Sequence, residues 1–300
     1  MKTKSEQWIV GVDLRQRSDG AVRFAGWLWR AMAADVRPTL HGVHVIESAQ
    51  LKALRQFGSR AEIERRVAGE VELTIERAGA AEAFERTAVI EHRRVDVHLA
   101  ELAEGIGATT LLVGRVSGVD QGGLIRLGTV ARRLVRALRR PVIVVPPDLD
   151  PAQLGPGPVV LAANAGESSV GALRFAADMA RKLGRELVCV HVIHVPLDYA
   201  QLYWSDAALA KHRDEQSARA FRGLKQWLTE HDHEDTRIDL RAGSEADAIL
   251  GAASELRAPL LVCGSRRLGG LERVVMASVS VELAAHAPIP VAVVPPEYGE

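Results

Sequence analysis

Cysteine is scarce in this 300-residue chain: Cys189 and Cys263 are its two, each inside an apolar run. Two thiols exclude a disulfide framework and a multi-cysteine metal site, and they fit a reducing compartment. Both are expected to act as small buried hydrophobes. No apolar run approaches 18 residues, so no membrane-spanning helix is expected. The opening stretch, MKTKSEQWIVGVD, lacks the apolar segment of a signal peptide, which makes the cytoplasm the expected location. Neither sign of charge dominates. Lys plus Arg and Asp plus Glu are 38 each, so no global field draws in nucleic acid or an anionic membrane. Absent too are a Gly-x-Ser-x-Gly elbow, a Walker Gly-Lys-Ser/Thr and a His-Glu-x-x-His pair. No activated nucleophile stands out, and the chain is not expected to be an enzyme.

What is present is enough apolar residue, 47% of the chain, to fill two cores of about 150 residues each. The sequence also repeats. Val43-His44-Val45-Ile46 recurs as Val190-His191-Val192-Ile193, an offset of 147. Ala21-Val22-Arg23-Phe24-Ala25 recurs as Ala172-Leu173-Arg174-Phe175-Ala176, an offset of 151. Leu111-Leu112-Val113-Gly114 returns as Leu260-Leu261-Val262-Cys263-Gly264, and Pro141–Pro147 as Pro290–Pro296. Four matches in one order at nearly constant spacing mark a tandem duplication. The expected domains are 1–150 and 151–300, joined through the proline- and glycine-rich stretch 148–158.

Within the first copy, short apolar runs alternate with amphipathic stretches. Trp8–Val12, Thr39–Ile46, Thr87–Glu91, Thr109–Val113 and Pro141–Val145 read as strands buried on both faces. Asp19–Ala34, Ser59–Gly79, Val97–Ile106 and Thr129–Arg139 read as helices. The second copy repeats the strands at Val159–Ala162, Glu186–Val192, Arg237–Leu240, Pro259–Cys263 and Pro290–Val294. Strict alternation requires right-handed crossovers, so each copy is expected to be α/β, a five-stranded parallel Rossmann-like sheet.

Ligands of such sheets sit beyond the carboxyl ends of the strands. Two features of the first copy lie there. Asp13 closes the first strand and is suited to ribose hydroxyls. The segment Gly114–Thr129 opens after the fourth strand with Gly114, Arg115 and Gly118, and enters a helix at Gly128, Thr129 and Val130. Glycines let backbone amides face an anion closely, and a helix amino terminus favours phosphate. The Thr129 hydroxyl either caps the helix or meets a phosphate oxygen. Arg115 supplies positive charge for a triphosphate but no general base.

Both copies resemble the universal stress protein family over nearly the whole chain. Its ATP-binding members carry Gly-x2-Gly-x9-Gly-Ser/Thr after the fourth strand and an Asp at the end of the first. The resemblance implies an adenine nucleotide alpha hydrolase-like fold with strand order 3-2-1-4-5. It also implies ATP, with AMP or ADP as alternatives and Mg as a companion ion, held by Asp13, Gly114, Gly118, Gly128, Thr129 and the Val130 amide. Gly118-x9-Gly128-Thr129 fits the motif, while Gly114-x3-Gly118 is one residue too long. The second copy keeps Gly264 and Ser278 but has Asn164 for the carboxylate and Arg267 and Ala277 for two glycines. The first copy is therefore the expected nucleotide site of a stress-response regulator and the second a degenerate one. A scaffold that binds no nucleotide, or another small ligand, is the alternative. Pairing of the two halves through Pro141–Val145 and Pro290–Val294 is implied as well, with a homodimer of whole chains left open.

Two further groups invite function. Arg132, Arg133, Arg136, Arg139 and Arg140 crowd one helix, but Val130, Leu134, Ala137 and Leu138 read as its buried stripe and the arginines as its solvated face. His41 with His44, and His191 with His194, stand three apart on strands and so point to opposite faces, which argues against joint metal ligation. His231 and His233 read as an exposed helix end.

Overall fold

A computed structural model of the chain describes residues 5–14, 19–115, 127–193, 205–265 and 279–299. The chain divides into two units, one from Met1–Leu154, Lys182–Gly184 and Ala284–Val293, the other from Gly155–Arg181, Arg185–Leu283 and Val294–Glu300.

In the first unit the alternation runs β1 (Gln7–Gly11), α1 (Gly20–Ala31), β2 (Thr39–Glu47), α2 (Ser48–Leu54), α3 (Arg60–Arg77) and β3 (Phe84–His92). It continues with α4 (Val95–Ile106), β4 (Ala108–Gly114), α5 (Thr129–Arg136) and β5 (Val142–Val145). The strands lie parallel in the order β3-β2-β1-β4-β5, as the family resemblance implied. A central strand is covered on both faces, and β1 obeys: Trp8, Ile9 and Val10 are at most 1% exposed. Helix α1 turns Ala21, Val22, Phe24, Ala25 and Leu28 to the core, the i, i+3, i+4 stripe of an amphipathic helix. Ser59 caps α3 by accepting from the Glu62 N–H, while the Glu62 carboxylate accepts from the Ser59 N–H in return.

The second unit has β6 (Val159–Ala162), α6 (Val170–Leu183), β7 (Leu187–Ile193), α7 (Asp206–Glu230) and β8 (Arg237–Ala242). Then come α8 (Glu245–Glu255), β9 (Leu261–Gly264), α9 (Val279–His286) and β10 (Val291–Val294). Its parallel strands stand in the order β8-β7-β6-β9. Phe175 on α6 is buried as Phe24 is on α1, so the repeat in sequence is a repeat in packing. Most of β10, together with the end of α9 from Ala284 on, belongs to the first unit. There Val291 and Val293 lie antiparallel to β5, opposite Val144 and Val142.

Boundaries depart from the sequence reading in places. Strand β3 begins at Phe84, three residues before the expected Thr87, and α1 ends three residues before the expected Ala34. On α5 the expected stripe is half right. Leu134 and Leu138 are buried, but Ala131 and Val135 take the places assigned to Val130 and Ala137. Ala137 already lies past the end of the helix, so its periodicity no longer applies.

Cys189 on β7 and Cys263 on β9 are both buried and free. Strand β6 separates them, with Leu161 beside Cys189 and Ala162 beside Cys263. Two strand spacings, about 9.5 Å, exceed the reach of a disulfide. Burial pushes both thiols up to about 12. The folded chain is expected to show no reaction with an aromatic disulfide reagent at pH 8, and two equivalents once unfolded. Rapid labelling of the native protein contradicts this burial.

Candidate functional site

The pairing of β1 with β4 sets the geometry. Val10 stands beside Leu112 in a parallel register. Continued by two residues, that register brings Val12 level with Gly114 and leaves Asp13 and Arg115 together at the carboxyl edge. The chain after β1 is held in place: the Val12 N–H donates to the Val43 carbonyl, and His44 Nδ1 lies 2.8 Å from the Val12 carbonyl oxygen. After β4, the Arg115 N–H donates to the Val145 carbonyl at 2.6 Å. Asp13 is half-buried just beyond these anchors.

Helix α5 begins at the same edge, because a helix between two parallel strands runs against them. Gly128 is its N-cap and offers no side chain to the first-turn amides. Thr129 is exposed as the first helical residue. Gly128, Thr129 and Val130 thus present backbone N–H groups at the positive end of a helix dipole. Gly118 lies outside the described residues.

Arg115 has a different partner from the one its position invited. Its Nη1 donates to the carbonyl oxygens of Ala285 and Ala287, at 2.7 and 2.9 Å, at the carboxyl end of α9. A cation there complements the helix dipole. Burial lowers the guanidinium below its ordinary range, yet it remains charged at neutral pH. This end of the guanidinium is committed to protein carbonyls.

At the equivalent edge of the second unit the chain approaches Gly264 closely. Ala162 stands beside Cys263, so Gly264 and Asn164 occupy the places of Gly114 and Asp13. Asn164 Oδ1 accepts from Ser169 Oγ at 2.8 Å and from the Gly166 N–H at 3.2 Å. This local turn carries Ser168 over Gly264. A Cβ at Gly264 would overlap the Ser168 carbonyl oxygen and lie 3.4 Å from Ser169 Cα. Glycine is needed at 264 so that another stretch of this chain can approach. Arg267, Ala277 and Ser278 lie outside the described residues.

The paired histidines divide their contacts. His41 Nε2 is 2.6 Å from Gln7 Oε1, whereas His44 turns to the end of β1. His191 repeats the His44 contact with the Ala163 carbonyl at 2.8 Å. The expectation that His41 and His44 do not share a ligand fits these separate contacts, and the part of His44 and His191 is to tie the second strand of each sheet to the end of the first. His194 lies outside the described residues. In the arginine cluster, Arg133 reaches the buried carboxylate of Asp96 at 3.4 Å, and Arg139 lies 3.6 Å from Glu104.

A sequence model of the universal stress protein family matches residues 6–146 and again 157–295. A universal stress protein of Mycobacterium tuberculosis is 29% identical over 227 residues, which are 74% of this chain and 70% of that protein. One from Mycobacterium bovis matches to the same extent. The crystal structure of a universal stress protein from Archaeoglobus fulgidus superposes with a TM-score of 0.68 at 19% identity, covering 98% of this chain and all of the other. A second, from Pseudomonas aeruginosa, gives 0.64 at 14% identity, with 99% and 95% covered. No helix among the described residues is long and apolar enough to cross a membrane.

Proposed function

We propose, from the premise that this chain belongs to the universal stress protein family over both of its halves, that it is a non-enzymatic stress-response regulator binding one adenine nucleotide in its first half. The observation that carries this reading is the β1–β4 register, which sets Asp13 and Gly114 at one carboxyl edge. The Asp13 carboxylate would accept from ribose hydroxyls. The amides of Gly114, Gly128, Thr129 and Val130, with Gly118 between, would meet the phosphates. Arg115 would act at one remove, holding the Ala285–Ala287 stretch of the same unit to the end of β4. Phosphate contacts at Gly114, Gly128 and Thr129 would change the surface offered to protein partners when ATP binds. In the second half, the use of the Asn164 oxygen by Ser169 and Gly166 favours a site without nucleotide. Equilibrium dialysis of the full chain against labelled ATP tests the reading. One equivalent bound per chain is expected; no binding at millimolar ATP overturns it, and two equal equivalents overturn the asymmetry.

A further inference from the structure

A second cluster of ligand-bearing side chains lies at the junction of β3 and α4. Strand β3 ends at His92, and α4 begins three residues later at Val95. One turn into the helix come His98 and Glu101, three apart and therefore on one face. The imidazoles of His92 and His98 lie with ring centroids 5.1 Å apart. Glu101 Oε2 is 3.9 Å from His92 Nε2 and 4.0 Å from His98 Nδ1. One donor atom from each of the three residues lies within 4.8 Å of the other two.

From this arrangement we propose that His92, His98 and Glu101 form a three-ligand site for a divalent transition-metal ion, with zinc as the ion it fits. Two imidazoles and a carboxylate are the donor set such an ion takes when one position stays open. Bonds of about 2.1 Å at a tetrahedral angle set donors roughly 3.4 Å apart. The three donors here are spread slightly wider, and small rotations of both imidazoles together with the exposed Glu101 side chain would close the gap. His92 has a further partner that suits the role. Its Nδ1 lies 2.9 Å from the Arg94 carbonyl oxygen. Protonated there, the ring donates to that carbonyl and presents the Nε2 lone pair toward Glu101. The Arg94 N–H, 3.1 Å from the same nitrogen, serves the other tautomer. Metal binding selects the first.

His98 sets the affinity. Its Nε2 is enclosed without a hydrogen-bond partner. When Nδ1 ligates, the proton moves to Nε2 and finds no acceptor. Loss of such an outer partner typically weakens a metal site about 10–100-fold. A site weakened in this way suits an ion taken up when zinc rises rather than a permanent structural centre. A bound ion would staple the end of β3 to the second turn of α4. The inference is independent of nucleotide binding.

The test is isothermal titration of the untagged, chelator-stripped full chain with zinc chloride, repeated for Glu101→Gln and His92→Gln. One ion per chain is expected, weakened at least tenfold by either substitution, with cobalt giving visible absorption bands that the variants lose. His233→Gln, placed past the end of α7, is expected to leave binding unchanged. Glu101 is exposed, so E101Q keeps the fold and decides the matter even where His92→Gln unfolds by circular dichroism. Absence of saturable binding up to millimolar zinc overturns the proposal, as does binding that E101Q leaves intact.

Discussion

Replacing Asp13 with alanine is expected to weaken ATP binding by the full chain at least tenfold, while Asn164→Ala leaves it unchanged. A hydrogen bond to a charged group is worth about 1.5–3 kcal/mol, or roughly 10- to 150-fold in affinity. Asp13 stands where such a bond to ribose would form, one residue beyond Val12, whose carbonyl and N–H are held by His44 and Val43. Asp13→Asn keeps the shape and loses the charge, so an intermediate loss is expected of it. Asn164 in the second half already accepts from Ser169 Oγ and from the Gly166 N–H. Its oxygen is occupied by its own turn, and removing the side chain takes nothing from a nucleotide. Equilibrium dialysis of the three variants beside the parent chain measures this, with an unchanged unfolding midpoint showing that each variant is folded. Equal affinity of D13A and the parent defeats the assignment of Asp13. A loss in N164A as large as that in D13A defeats the asymmetry.

The parts legible in sequence were those that periodicity controls. Runs such as Ile9–Val12 and Leu111–Val113 are buried on both faces, and their continuous apolar pattern marks parallel strands in the sequence itself. The duplication then gave the second copy nearly for free, because Phe24 and Phe175 sit at matching positions of matching stripes. Contacts between residues far apart in the chain were less legible. Nothing near Arg115 in sequence points to Ala285 and Ala287, which lie 170 and 172 residues away. Its place in a glycine-rich stretch suggested phosphate, whereas its Nη1 reaches carbonyls at a helix end. The His92-x5-His98-x2-Glu101 spacing was visible as letters. It carries a signal only because β3 extends to His92, so that strand end and helix face meet.

Gly20 shows the same limit in energetic form. Gly20 opens α1, and its N–H donates to the Pro147 carbonyl at 3.1 Å. A Cβ there would overlap the Pro146 carbonyl oxygen and lie 2.7 Å from that of Pro147. Both obstacles are backbone, so no side chain can swing away to make room. Gly171 meets the carbonyls of Pro295 and Pro296 in the same way in the second copy. Repeated glycines and repeated Pro-Pro pairs are thus the two sides of one contact, which fixes the start of the first helix against the end of the fifth strand. Gly20→Ala is expected to destabilise the chain by about 1–3 kcal/mol, the usual cost of overpacking a rigid site. Gly69, in the middle of α3, has no atom within 4 Å of the position a Cβ would take. Gly69→Ala is expected to stabilise by about 0.5–1 kcal/mol, since alanine is the better helix former and nothing opposes it. Urea unfolding of the full chain should therefore move its midpoint down for one glycine-to-alanine change and up for the other. A G20A midpoint at or above the parent's would mean that the proline carbonyls yield, and that the first helix is not held as tightly as this contact requires.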